Sequence, residues 1–171
     1  MRAQSHLEKG DVPKLLAREL GRALRSRALT IAVAESCTGG RLGDLLTNVP
    51  GSSDYFMGGV ISYTNRAKAE LLGVSKKSMA QKGAVSEEVA RQMASGVRKA
   101  LHAKIGVGIT GIAGPSGGTP RKPVGLVYIA VASEKGSICS KYLFKGTRTQ
   151  IKKQSADHAL EMAFTFVKKK H

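Results

Sequence analysis

The sequence contains no tryptophan, and only four tyrosines and four phenylalanines among 171 residues. A platform on which successive bases stack is therefore poorly supplied. Two cysteines, Cys37 and Cys139, are too few for a disulfide framework and lack metal-site spacing, which points to a reducing, cytoplasmic setting. The histidines, His6, His102, His158 and His171, are scattered without ligand spacing, so no metal and no cofactor is expected. No run approaches the ~18 apolar residues of a membrane span. Residues 1–10 are polar and lack the apolar core of a secretory signal.

Acidic residues are also scarce: 12 Asp and Glu face 28 Lys and Arg, a net charge of +16. Such an excess invites an anionic partner, whether nucleic acid, an anionic surface or a phosphorylated substrate. The excess is spread along the chain, with a mild bias to residues 141–171, where eight basic side chains face two acidic ones. That spread, with the shortage of aromatics, argues against a dedicated nucleic-acid groove. Non-specific, salt-sensitive binding is what remains expected.

What is present reads as a globular α/β chain, expected to form a single domain over residues 1–171. Asp11 suits an N-cap and Pro13 a first helical turn. Val12, Leu16, Leu20 and Leu24 then recur at helical spacing, to about Arg27. Leu29 to Ala34 reads as a buried strand, with a short helix over Leu42, Leu45 and Leu46 beyond it. Val60 to Tyr63 reads as a second strand, preceded by Gly58 and Gly59. Asn65 is placed as the cap of a helix that stops at Gly73, and Ser86 caps another. Ile105 to Ile109 is a glycine-diluted strand. Val124 to Ala132 and Ile138 to Phe144 form a hairpin. Thr147 with Gln150 makes a capping box that opens the last helix. The order predicts a three-layer α/β/α sandwich with a mixed, mostly parallel sheet that includes one hairpin.

Two loops stand where ligands bind in open α/β sheets, beyond the carboxyl ends of strands. The first, Glu35-Ser36-Cys37-Thr38-Gly39-Gly40, offers three candidate nucleophiles and two glycines, although Ser and Thr there also suit simple helix capping. Cys37 has no histidine partner and reads as a small buried residue. The second is the glycine-rich stretch from Thr110 to Pro123. Gly106-Val107-Gly108-Ile109-Thr110-Gly111 matches a dinucleotide pattern, but its first glycines lie inside the strand and Pro115 stands where a helix should start. Nor is it a P-loop. It remains a loop rich in unshielded N–H groups, suited to an anion or an oxyanion. Lys68 follows Tyr63 on the next helix. A lysine there is ordinarily solvated, but a buried one with a lowered pKa acts as base to a serine hydroxyl. Arg148 opens the last helix, where a cation is disfavoured unless an anion is near.

Taken together, several segments resemble the CinA carboxyl-terminal domain family. They are Ala34 to Gly40; Pro50-Gly51-Ser52-Ser53 with Phe56 and Gly59; Tyr63 to Lys68; Gly83-Ala84-Val85-Ser86; Thr110 to Pro115; and Lys122-Pro123-Val124-Gly125. They stand in the family's order and cover nearly the whole chain. The resemblance implies a stand-alone nicotinamide-nucleotide amidohydrolase, converting nicotinamide mononucleotide and water into nicotinate mononucleotide and ammonia in pyridine-nucleotide salvage. It also implies a homo-oligomer. The expected site has Ser36 as nucleophile, Lys68 as base and Tyr63 as proton relay. Glu35, Thr38, Gly39, Gly40, Ser52, Ser53, Phe56, Thr110, Gly111, Gly114 and Arg148 are the expected substrate contacts. Oxyanion donors fall near Thr38-Gly39 or Thr110-Gly111, and the 5′-phosphate near the glycine loop or Arg148. Ser52 or Ser53 competes with Ser36 as nucleophile, since both belong to the family pattern.

The chain departs from that pattern at three positions. Thr147 stands where relatives usually carry an acidic residue or Asn. Lys104 and Arg121 stand where acidic residues are common. These changes bear on partners and nucleotide affinity more than on the nucleophile. The rival reading is a competence- or DNA-damage-related protein that uses its basic surface to bind nucleic acid or to act as a scaffold.

Overall fold

The computed structural model describes residues 11–169. A five-stranded sheet runs in the order β2-β1-β3-β4-β5, where β1 is Ile31–Glu35, β2 Phe56–Ile61, β3 Ile105–Gly111, β4 Leu126–Ser133 and β5 Gly136–Leu143. Pairs β1–β2 and β1–β3 are parallel, whereas β3–β4 and β4–β5 are antiparallel. The mixed α/β sheet with its hairpin is thus present, parallel at its start and antiparallel in the rest. The helices are α1 (Asp11–Ser26), α2 (Arg41–Thr47), α3 (Asn65–Leu72), α4 (Lys76–Lys82), α5 (Glu87–Ala100) and α6 (Arg148–Lys168). Among the described residues no helix is long and apolar enough to cross a membrane.

The two faces of the sheet differ in side-chain size, and the difference is written in the period-2 alternation of the strands. One face carries Ile31, Val33, Ile105, Val107, Ile109, Val127, Ile129 and Val131. These pack with Leu20 and Leu24 of α1, Leu42 and Leu46 of α2, and Ile151 and Leu160 of α6. The other face carries Ala32, Ala34, Gly106, Gly108, Ala130 and Ala132, so α5 lies almost on the backbone. A Cβ on Gly106 would meet the Ala94 carbonyl oxygen at 2.0 Å. Small residues here are the condition for that close approach. On the larger-residue side Tyr55 is fully buried, with the Arg25 guanidinium 5.3 Å from its ring centre.

Several boundaries differ from the sequence reading. The second strand starts at Phe56, with Gly58 and Gly59 inside it rather than before it. Between Ile31↔Phe56 and Ala32↔Gly58 the register slips, a bulge in which Gly58 takes φ +123. β1 ends at Glu35 and β3 continues through Gly111. Thr64, not Asn65, caps α3, its hydroxyl accepting from the Ala67 N–H at 3.1 Å. Helix α4 was not expected. It buries only Met79 and is otherwise polar, so periodicity gives it no signal; its Ser75 cap is the one clue. The Ser86 cap, the stop at Gly73 and the Thr147–Gln150 capping box are all present. Asp11 is the first helical residue, and the cap before it lies outside the described residues.

Candidate active site

The carboxyl end of β1 lies between two parallel neighbours, and the chain leaves it for β2 on one side and later returns to β3 on the other. That is a topological switch point, the place where an open α/β sheet presents a crevice. The crevice holds a cleft of about 320 Å³ lined by Ser36, Tyr63, Lys68, Thr110, Gly114 and Arg148 among others.

Ser36 follows Ala32 and Ala34 on the small-residue face, where α3 packs. It is 7% exposed, and its N–H donates to the Ile109 carbonyl, extending the β1–β3 ladder by one residue. That N–H is spent on the sheet and is not an oxyanion donor. Lys68, on α3, is 2% exposed. Its Nζ lies 3.0 Å from Ser36 Oγ and donates to the Ser62 carbonyl at 2.7 Å. Among the described residues Lys68 has no ion pair with a carboxylate. Burial holds its pKa below the ordinary 10.5. A buried amine of lowered pKa against a serine hydroxyl is the arrangement of a nucleophile with its base. The neighbouring Cys37 thiol is pushed the other way, up to about 11, by its own burial.

Glu35 points to the opposite face. Its carboxylate accepts from the N–H groups of Gly40, Leu42 and Gly43 at 3.0, 3.2 and 2.8 Å, so it caps α2 from the end of the strand. The expected substrate contact is in fact a buried structural cap, 1% exposed. Gly39 and Gly40 make the turn before α2 with φ +64 and +98 and are not in the wall of the cleft. Thr38 is buried beside them, and its hydroxyl has no partner among the described residues.

The distant residues are gathered selectively. Thr110 is buried at the end of β3, its hydroxyl donating to the Ala84 carbonyl at 2.8 Å. Arg148 reaches from the start of α6 to the Gly114 carbonyl at 2.6 Å and to the Tyr63 hydroxyl at 2.9 Å. Tyr63 is 60% exposed and is tied to Arg148, so it stands at the rim rather than between Ser36 and Lys68.

Ser52 and Ser53 lie elsewhere. They form a 3-10 turn, Ser52–Asp54, that leads into the amino end of β2, while Ser36 follows the carboxyl end of its parallel partner β1. Six residues of strand at ~3.3 Å each separate the two ends, so neither serine reaches Lys68 within the chain. Phe56, at the same end, lines a separate hollow with Glu35, Gly43 and Val60. Missed by the sequence reading were the Ser62 carbonyl and the Ala84-Val85 wall of the cleft. Backbone carbonyls carry no residue signature; only their position three residues before α3 and just before α5 gave a clue.

Residues 14–167 match the model of the CinA C-terminal domain. The chain is 54% identical over 140 residues to a competence-damage inducible protein of Moorella thermoacetica, covering 82% of this chain and 34% of that one. It is 52% identical over 145 residues to a CinA-like protein of Gloeothece citriformis, covering 83% and 35%. The chain thus spans about a third of the length of these curated relatives. Among solved structures, the competence/damage inducible protein CihA of Agrobacterium tumefaciens superposes with a TM-score of 0.87 at 38% identity, over 90% of this chain and 94% of that one. A CinA superfamily protein of Enterobacter cloacae gives 0.89 at 28%, over 98% and 99%.

Proposed function

The chain belongs to the CinA C-terminal domain family, and from that premise we propose that it is an amidohydrolase acting on nicotinamide mononucleotide, with Ser36 as nucleophile and Lys68 as base. One observation carries the reading: a serine hydroxyl 3.0 Å from a buried lysine amine that pairs with no carboxylate among the described residues, at the switch point of the sheet.

The steps follow from that pair. Neutral Lys68 takes the proton of Ser36 Oγ as the oxygen attacks the carboxamide carbon. The carbonyl oxygen becomes an oxyanion, which backbone N–H groups near Thr110-Gly111, at the end of β3 in the cleft wall, stabilise; each such donor is typically worth ~3 kcal/mol. Lys68 passes its proton to the departing nitrogen, which leaves as ammonia. The resulting ester on Ser36 is cleaved by water, whose proton goes to Lys68 and then back to Ser36 Oγ. The Ser62 carbonyl holds the Lys68 amine in place throughout. Arg148 at the rim supplies positive charge for the 5′-phosphate, and Tyr63 orients Arg148.

The test is ammonia release from nicotinamide mononucleotide by the purified protein, beside Ser36→Ala and Lys68→Met. Loss of at least ~10³-fold in both, with circular dichroism unchanged, is expected. Turnover surviving Ser36→Ala removes the serine assignment, and no turnover in the unsubstituted protein removes the substrate.

A further inference from the structure

Two of the family-like segments take no part in the chemistry above, Gly83-Ala84-Val85-Ser86 and Lys122-Pro123-Val124-Gly125, and in the fold they meet. The first links α4 to α5, and its Ala84 and Val85 form one wall of the cleft. The second closes the long loop 112–125, whose Ile112 to Gly114, Ser116 and Gly117 form the facing wall.

Four successive carbonyls, from Lys82 to Val85, each accept a hydrogen bond from a side chain. Ser86 Oγ donates to Gly83 at 2.9 Å and Thr110 Oγ1 to Ala84 at 2.8 Å. The other two are taken by one group: Lys122 Nζ donates to the Val85 carbonyl at 2.7 Å and to that of Lys82. Space is made for it at Gly83, where a Cβ would lie 2.6 Å from Lys122 Nζ on a backbone at φ +79. Lys122 is itself held by a tight turn, its N–H donating to the Thr119 carbonyl and hydroxyl, both at 3.0 Å. A charged donor shared by two carbonyls is a strong link between segments that share no ladder.

We propose that Lys122 is a positioning residue that clasps the glycine loop to the Lys82–Val85 segment and so fixes the width of the cleft in front of Ser36 and Lys68. The proposal rests on the amidohydrolase reading for its kinetic readout, but not for its structural one. Ser36 lies just past β1, Lys68 on α3 and Thr110-Gly111 at the end of β3, all outside both clasped segments. Loss of the clasp therefore weakens substrate fit and leaves the chemical step nearly intact. Gly83→Ala acts on the same clasp from the other side, by occupying the space of the amine.

The experiment compares Lys122→Met and Gly83→Ala, singly and together, by amide hydrogen exchange and by steady-state kinetics. Exchange is expected to rise at least ~10-fold in both segments 82–86 and 112–124, whichever member of the pair is changed. With nicotinamide mononucleotide, KM is expected to rise ~10-fold with kcat within ~3-fold, and the double variant to show no more than the larger single effect. Faster exchange confined to residues 119–124, with 82–86 unchanged in Lys122→Met, overturns the clasp. So does an equal fall in kcat with unchanged KM. If the unsubstituted protein releases no ammonia, the amidohydrolase reading falls, while the exchange experiment still decides the clasp.

Discussion

Glu35 and Ser36 are adjacent in the chain and serve opposite sides of the sheet. The Glu35 carboxylate receives three backbone N–H groups of the α2 turn, and the Ser36 hydroxyl meets the Lys68 amine 3.0 Å away. The strand's alternation makes this division of labour possible at consecutive positions. Each residue is held by a helix from a different layer.

Glu35 is expected to matter for stability. Removing a buried acceptor leaves the α2 donors without a partner. Glu35→Ala is expected to lose about 3 kcal/mol, and Glu35→Gln, which keeps a neutral acceptor, about half as much. Urea unfolding followed by far-UV circular dichroism measures both. Equal stability of Glu35→Ala and the unsubstituted protein contradicts the cap.

Lys68 sets the sign of the pH dependence. Its folded pKa is lowered from 10.5 by burial, and the base must be neutral to accept the Ser36 proton. Ammonia release is therefore expected to rise with pH through one ionisation that lies below 10.5. The stability consequence has the same direction. Between the lowered folded value and 10.5 the unfolded chain binds the extra proton, so stability rises with pH across that window and is complete above it. Lys68→Met is expected to flatten both profiles. A rate that falls with pH across the window contradicts the assignment of Lys68 as base.

Cys37 lines the same cleft and is expected to be inert. With its thiol pushed up to about 11, roughly one molecule in 10³ is thiolate at pH 8. Iodoacetamide is expected to label it slowly, read by mass spectrometry. Cys37→Ala is expected to keep ammonia release within ~3-fold. Loss of turnover on that change transfers the nucleophile from Ser36 to Cys37.

Much of this architecture was legible in the chain. The alternation of large and small residues in β1, β3 and β4 is a direct statement of which face receives α5 closely, and Gly106 and Gly108 are its sharpest marks. Ser36 was marked by its place at a strand end, and Lys68 by its place on the next helix. Burial decided the rest, and sequence does not carry burial. Lys68 and Glu35 look like surface charges until the layers around them are assembled. Ser52 and Ser53 read as part of the same site because sequence order says nothing about which end of a parallel strand they join. The bulge at Gly58 hid the start of β2, since a glycine pair ordinarily signals a turn rather than a strand interior.

Arg148, the first residue of α6, holds Tyr63 and Gly114 together at the rim, and α6 then fills the sheet face behind them. A chain emerging from the ribosome amino end first exposes Ser36 and Lys68 well before that helix is made. The Ser36–Lys68 pair thus comes from the first half of the chain and the rim residue Arg148 from its last helix, so the cleft is complete only once α6 has packed.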